Sequence, residues 1–115
     1  MSEAAADTLA AHVQELRRGT VVLACLTVLT TPHYGYALLE TLAGAGFGVD
    51  GNTLYPLLRR LGRQGLLTSR WDTDEARPRR YYEVSARGGE VLAGLRAEWA
   101  ALDRAVTGLD EGTPR

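Results

Sequence analysis

Apolar residues recur with helical spacing along most of the chain. Near the N-terminus, four of them lie three or four positions apart, which predicts an amphipathic helix over residues 4–17 with one narrow apolar stripe. Residues 21–29 are apolar on every side and precede Thr31-Pro32, which predicts a second helix, buried all round, that ends before the proline. A third helix is predicted from Tyr34 to Leu42. The N-terminal stripe consists of Ala6, Leu9, Val13 and Leu16.

The helix predicted from Thr53 to Gln64 carries two kinds of side chain on opposite faces. At about 100° per residue, its leucines fall within roughly 100° of arc, and its arginines gather on the other side. We therefore predict a buried leucine face and an outward arginine face. A proline in the first turn makes Asn52 or Thr53 the predicted N-cap. The leucine face holds Leu54, Leu57, Leu58 and Leu61, and the other face holds Asn52, Pro56, Arg59, Arg60 and Arg63, with Tyr55 at the border.

The last part of the chain predicts a hairpin and a long helix. Residues 66–73 and 79–85 contain β-prone aromatic residues and are joined by the charged stretch 74–78, which predicts two strands and a basic turn. Residues 87–109 predict a helix with apolar residues at alternating spacings of three and four, a heptad seam of the kind that faces another helix. Because the seam is short, we expect the N-terminal stripe to extend it. The seam consists of Leu92, Leu95, Trp99, Leu102, Val106 and Leu109.

Composition places the chain among ordinary globular proteins. It has 115 residues, 45% of them hydrophobic, and 13 basic against 14 acidic side chains, which predicts one domain with its own core and excludes a disordered chain. The single cysteine, Cys25, excludes an intrachain disulfide and fits a reducing cytoplasm. The longest apolar run is too short to span a bilayer, and the N-terminus does not resemble a signal peptide, so we expect a cytoplasmic protein without a membrane partner.

Candidate chemistry is sparse. The run 46–51 matches the G-x-G-x-x-G pattern of dinucleotide-binding folds, but there the pattern follows a strand, whereas a helix is predicted here. A glycine-rich turn between two helices is the favoured interpretation, and nucleotide binding is the alternative. His12 and His33 have no cysteine or carboxylate at ligand spacing, so no metal or cofactor is expected. No nucleophile and base occur in a catalytic pattern, so we do not expect an enzyme.

Positive charge is concentrated in the middle of the chain. Between Asn52 and Arg87 there are eight arginines and four acidic residues, although the whole chain has a net charge of -1. All basic residues are arginine, which reflects either genome composition or a preference for bidentate phosphate and guanine contacts. A basic helix face followed by a basic hairpin predicts a winged helix-turn-helix that binds DNA. The alternatives are a merely solvated face and a surface that docks an acidic protein.

Three stretches of the sequence are distinctive in their order and spacing: residues 32–38, residues 53–61 with Gly65-Leu66-Leu67, and residues 77–85 with Gly88. Together they resemble the PadR family of bacterial transcriptional regulators. The resemblance implies a winged helix-turn-helix repressor, dimeric through its terminal helices, that leaves DNA when a small molecule binds. The short C-terminal helix is similar to that of the compact branch. Where the family's wing commonly has glycine before its Arg-Pro pair, this chain has Ala76.

The same resemblance implies roles for individual residues. It places two tyrosines at the start of the supporting helix, four residues on the DNA-reading helix and three arginines on the wing. Trp99 corresponds to an aromatic residue that, in some compact members of the family, lines a cavity between the two subunits and stacks on flat ligands; the alternative is that Trp99 only packs in the seam. With the outward arginines added, the predicted DNA contacts are Tyr34, Tyr36, Asn52, Thr53, Tyr55, Arg59, Arg60, Arg63, Arg77, Arg79 and Arg80.

We therefore predict a single domain, mainly α-helical with a small β-hairpin. It comprises a winged helix-turn-helix core at about 20–85, dimerisation helices at 4–18 and 87–110, and a disordered tail at 111–115. The predicted function is a ligand-responsive repressor that binds double-stranded DNA as a homodimer and responds to a flat aromatic effector; the alternative is a protein-interaction module. The predicted dimer interface consists of Leu9, Val13, Leu16, Leu92, Leu95, Trp99, Leu102 and Val106.

Overall fold

Helices dominate the computed structural model, which describes residues 1–74 and 76–110. Over these residues it contains five α-helices and one three-stranded antiparallel sheet of order β1-β3-β2. The predicted tail at 111–115 lies outside the described residues. The helices are α1 Glu3–Arg18, α2 Val21–Val28, α3 Gly35–Gly44, α4 Gly51–Arg63 and α5 Ala86–Asp110. The strands are β1 His33–Tyr34, β2 Leu67–Asp72 and β3 Arg79–Val84.

The core is built mainly from leucines of α2, α3, α4, β2 and the first turns of α5. Burying each such side chain contributes about 1.5–3 kcal/mol, so these contacts dominate the stability of the fold. Cys25 lies among them, and burial raises the pKa of its thiol to about 11. The predicted leucine face of α4 is confirmed. The buried core residues are Cys25, Leu26, Leu29, Leu38, Leu42, Leu54, Leu58, Leu61, Leu66, Leu67 and Leu92.

Helix α4 begins earlier than its periodicity predicts. Asp50, in extended backbone conformation, is the N-cap, and its Oδ1 accepts the Thr53 N–H at 3.0 Å. The predicted caps, Asn52 and Thr53, are therefore wrong. Pro56 lies beyond the first turn, where it cannot donate to the carbonyl of the exposed Asn52. The prediction failed because Gly51 gives no periodic signal, while the Asp50 carboxylate supplies the capping acceptor.

The second and third helices, α2 and α3, also differ from their sequence predictions. Tyr34 does not begin a helix; with His33 it forms β1, which pairs with Tyr82 and Tyr81 of β3. A two-residue strand exists only through this pairing, so no local pattern marks it. Helix α2 is not buried all round, because Thr27 is exposed and residues 21–24 and Val28 are only partly buried. In a single chain, α5 covers α2 on one side only.

Helix α5 starts against the sheet and then leaves the core. Ser85 joins the two regions: its Oγ donates to the Gly65 carbonyl at 2.6 Å and accepts the Gly88 N–H at 3.0 Å. Leu92 is buried in the core of its own chain, so its predicted place in the dimer interface is wrong. The architecture, α3 and α4 followed by the β2–β3 hairpin, is the predicted winged helix-turn-helix. No helix in the described part of the chain is long and apolar enough to cross a membrane.

Candidate nucleic-acid interface

Helix α4 turns its basic side away from the core. Arg59, Arg60 and Arg63 are all exposed, whereas Leu54 and Leu58 on the other face are buried. The predicted orientation of the arginine face is therefore confirmed. Predicted base-contact residues at the start of the helix are exposed as well, so the amino-terminal half of α4 offers polar side chains and the later half offers guanidinium groups. These exposed early residues are Asn52, Thr53 and Tyr55.

The Tyr55 ring holds α3 and α4 together. A Cβ placed on Gly35 would lie 2.7 Å from the Tyr55 Cε1 atom, and one on Gly51 would lie 3.2 Å from its Cε2 atom. Both are closer than an unstrained contact, so the ring fills the space that these two glycines leave. The Tyr55 side chain is still 37% exposed. Tyr55 thus packs against α3 and still presents a surface beside the arginine face.

Tyr34 ties β1 to the hairpin. Its hydroxyl donates to the Asp72 Oδ2 at 2.6 Å, and its ring stacks on Tyr81 with centroids 4.1 Å apart. The Arg79 guanidinium lies over the same ring, 4.2 Å from its centroid. The hydrogen bond lowers the pKa of the Asp72 carboxyl and raises the pKa of the Tyr34 hydroxyl. The structure therefore engages Tyr34 within the wing, and its predicted contact with DNA stays a prediction.

Tyr36 and Arg77 are two further residues that the PadR resemblance implies for DNA contact. Tyr36 is exposed on α3, where a hydrogen bond to Glu40 raises the pKa of its hydroxyl. Arg79 is close enough to Tyr36 to oppose that shift through its charge. Arg77 is exposed in the turn between β2 and β3. The structure thus brings the start of α3 close to the end of the β2–β3 hairpin that lies next to its turn.

A cleft separates α4 from the hairpin, and we call it the helix–wing cleft. It has a volume of about 400 Å³. Arg80 enters it from β3, and its Nε–H and Nη2–H groups donate to the Ser69 Oγ at 3.1 and 2.8 Å. The guanidinium also lies 5.8 Å from the Trp71 ring centroid and 5.7 Å from that of Tyr82. The lining residues are Leu58, Arg59, Gly62, Arg63, Leu67, Ser69, Arg80 and Tyr82.

The sequence also matches a known protein family. Residues 22–94 match the family described as transcriptional regulator PadR-like. The chain belongs to the PadR-like family. It is 36% identical over 75 residues to the transcriptional regulator Rv3488 of Mycobacterium tuberculosis, an alignment that covers 65% of this chain and 70% of that protein.

Solved structures of PadR family regulators share this fold. A PadR family regulator from Eggerthella lenta is 45% identical and superposes with a TM-score of 0.89, covering 97% of this chain and all of the other. A PadR-like regulator from Bacillus cereus is 25% identical, with a TM-score of 0.76 and coverage of 86% and 99%. The predicted family and fold are confirmed. PadR-like proteins are transcriptional regulators, so this chain is a transcriptional regulator. Membership of the family implies that it binds DNA.

The glycine run of this PadR-like chain is a turn. Helix α3, not a strand, precedes it, and Gly51 already belongs to α4, so the nucleotide-binding alternative is wrong. Gly46 adopts a φ of 91°, a conformation that favours glycine, and the Arg17 guanidinium lies against it. Over residues 1–74 and 76–110, no group of three His, Cys, Asp or Glu side chains could hold a metal ion.

A second feature of this PadR-like chain is an apolar groove between α2 and α5, which we call the Trp99 groove. It has a volume of about 290 Å³ and includes Trp99 and Phe47 in its walls. Phe47 also lines a larger cavity beside α1, where the Arg17 guanidinium lies 5.5 Å from its ring centroid. Sequence reasoning missed Phe47, because a lone aromatic residue in a glycine-rich turn has no periodic partner. The remaining groove residues are Thr20, Leu23, Ala24, Thr27, Val28, Leu42 and Ala45.

Proposed function

We propose that this PadR-like regulator is a repressor that binds a pseudo-palindromic operator as a homodimer in the cytoplasm. The observation that carries the proposal is the outward arginine face of α4 beside the basic hairpin. In this arrangement α4 enters the major groove, its early polar residues read base edges, and its arginines contact phosphates. Two copies related by a twofold axis would place their α4 helices about 34 Å apart, in successive major grooves.

The terminal helices support the homodimer. Within α1, all of which the structure describes, no side chain is buried, although the helix carries the apolar stripe that includes Leu9, Val13 and Leu16. The second half of α5 has the same property: Trp99 is 50% exposed, Leu102 58% and Val106 63%. Two unpaired apolar stripes on one small chain favour a second copy that covers both. Leu95 sits at the border and is partly buried against its own core.

The Trp99 groove supports a ligand response. Its walls are largely apolar, and the exposed half of the Trp99 ring offers a flat surface for stacking. The groove lies at the start of the exposed part of α5, beside the proposed dimer interface. A flat aromatic effector bound there releases DNA only if it binds the DNA-free dimer geometry more tightly than the DNA-bound one.

DNA binding is tested with the region upstream of the chain's own gene. We expect specific binding to that duplex, measured by fluorescence anisotropy, with an affinity that falls steeply as salt rises. Arg60→Ala should reduce the slope of log affinity against log salt by about 0.9 for each phosphate that the Arg60 guanidinium neutralises. Arg104→Ala, on the exposed surface of α5, removes the same charge away from α4 and should keep the native slope. Failure to bind DNA at low salt would instead favour the protein-interaction module.

The ligand response is tested by tryptophan fluorescence. The chain has two tryptophans, so a Trp71→Phe background isolates Trp99. In this background we expect acriflavine or riboflavin to quench Trp99. In the native chain, which keeps Trp71, we expect the same compounds to weaken operator binding about 5–150-fold at saturation, the usual range of such coupling. Trp99→Ala should abolish this response to ligand. If no flat compound changes the emission, Trp99 only packs in the seam.

A further inference from the structure

Arg80 is held in one position although it is exposed. An exposed arginine ordinarily samples many rotamers, but here two of its N–H groups donate to one acceptor, the Ser69 Oγ. The Trp71 and Tyr82 rings contact the same guanidinium. Strand pairing explains the arrangement, because Ser69 lies opposite Tyr82 and Trp71 lies opposite Arg80 on one face of the hairpin. Because the guanidinium group is planar, these contacts also fix the orientation of its remaining N–H groups.

Trp71 lies largely outside the core. It is 62% exposed on β2, so its burial adds little to stability. Its ring instead contacts the Arg80 guanidinium across the strand pair. This contact supports a role for Trp71 in positioning Arg80.

The opposite wall of the helix–wing cleft is also basic. Arg59 and Arg63 line the cleft from α4, so three arginines face one space of about 400 Å³. Among the described residues that line it, none is acidic. Three like charges around a solvent-open space repel one another, and an anion that enters the cleft relieves this repulsion. The volume exceeds that of a phosphate group, which leaves room for hydrating water.

We propose that the helix–wing cleft binds one phosphate group of the DNA backbone, and that Ser69, Trp71 and Tyr82 position Arg80 to bind it. This inference rests on the proposed function, because the cleft lies between the two elements that are proposed to contact DNA. A phosphodiester presents two free oxygens, which match the paired N–H groups of a guanidinium. Arg80 is the fixed contact, and Arg59 and Arg63 approach the same phosphate from α4.

The test uses a duplex of unrelated sequence at low salt, because a phosphate contact carries no sequence information. Arg80→Ala is expected to reduce the slope of log affinity against log salt by about 0.9 for each cleft that holds a phosphate. Ser69→Ala is expected to weaken binding, and Ser69→Thr, which keeps the hydroxyl, to restore it. Thr68→Ala is the matched control, because Thr68 is the neighbouring residue on the other face of β2.

A double-mutant cycle separates positioning from a structural role. If Ser69 acts through Arg80, Ser69→Ala has no further effect once Arg80 is alanine. An additive effect overturns the positioning role of Ser69. An unchanged salt slope for Arg80→Ala in a chain that binds DNA overturns the phosphate site and leaves the proposed function standing.

The source of the phosphate is tested with inorganic phosphate and ³¹P NMR. One outcome is that the native chain binds inorganic phosphate but no DNA, and that Arg80→Ala abolishes the phosphate binding. The proposed function then fails, and DNA is overturned as the source of the phosphate in the cleft. If the native chain binds neither DNA nor inorganic phosphate, the cleft is not a phosphate site. The full proposal is supported if Arg80→Ala lowers both the affinity for DNA and the slope of log affinity against log salt, while Thr68→Ala changes neither.

Discussion

Replacing Gly88 with alanine is expected to lower the free energy of unfolding by roughly 3 kcal/mol or more. Gly88 lies in the first turn of α5, and a Cβ there would overlap the Leu66 carbonyl oxygen and come within 3.0 Å of the Val84 Cγ1. The Leu66 carbonyl cannot withdraw freely, because it accepts the Ser85 N–H at 3.0 Å. The added methyl group must therefore push α5, and with it the buried Leu92, away from the core.

The neighbouring glycine provides a matched control. Among the described residues, no heavy atom lies within 4 Å of a Cβ placed on Gly89, outside its chain neighbours and local helix backbone. Gly89→Ala should therefore be neutral or stabilise the helix by about 0.5–1 kcal/mol. Urea unfolding followed by circular dichroism measures both variants. Equal midpoints for Gly88→Ala and Gly89→Ala would contradict the close approach of α5 to Leu66.

The arginine face of α4 was predictable because its cause is local. Leu54, Leu58 and Leu61 recur with the helical period, so burying them turns Arg59 and Arg63 to the other side, whatever the rest of the fold. The N-cap was not predictable from the same signal, because a cap depends on one side chain reaching one N–H group. Several residues near the helix start offer suitable oxygens, and only the backbone geometry selected Asp50.

The wing residues that the sequence missed depend on contacts between strands. Ser69 and Trp71 contact Arg80 only because β2 and β3 pair in one register, which brings these residues, eleven and nine positions from Arg80, to one face. Strand β1 exists for the same reason, since Tyr34 reaches Asp72 and Tyr81 from the other edge of the sheet. Alternation within a single strand cannot specify such a register.

The heptad seam of α5 was correctly recognised as apolar but could not reveal its partner. Its first part meets the same chain: Leu92 is buried in the core and Leu95 packs against it. Its second part, from Trp99 onward, is exposed. A repeat of apolar positions predicts that another surface covers them, and it carries no information on whether that surface belongs to the same chain. Only the three-dimensional fold shows which part of the seam packs in the core of its own chain and which part stays exposed.

Leu102 lies in the exposed second part of the α5 seam. Leu102→Asp is expected to convert the proposed homodimer into a monomer, because a carboxylate placed in an apolar interface loses its hydration without a partner. A monomer can engage only one half-site at a time, so operator affinity should fall roughly 100-fold or more. Since Leu102 is exposed in the single chain, the monomer should keep its fold.

The matched control is Ala97→Asp. Ala97 is exposed on the side of α5 opposite Leu102, so the same carboxylate is added to the same helix but remains hydrated. Light scattering coupled to size exclusion gives the mass of each variant, and anisotropy gives its operator affinity. We expect a dimer with native affinity for Ala97→Asp, and a monomer with weak binding for Leu102→Asp. A Leu102→Asp chain that remains dimeric would place the interface elsewhere, whereas a monomer with undiminished affinity would show that one α4 helix and its wing suffice for binding.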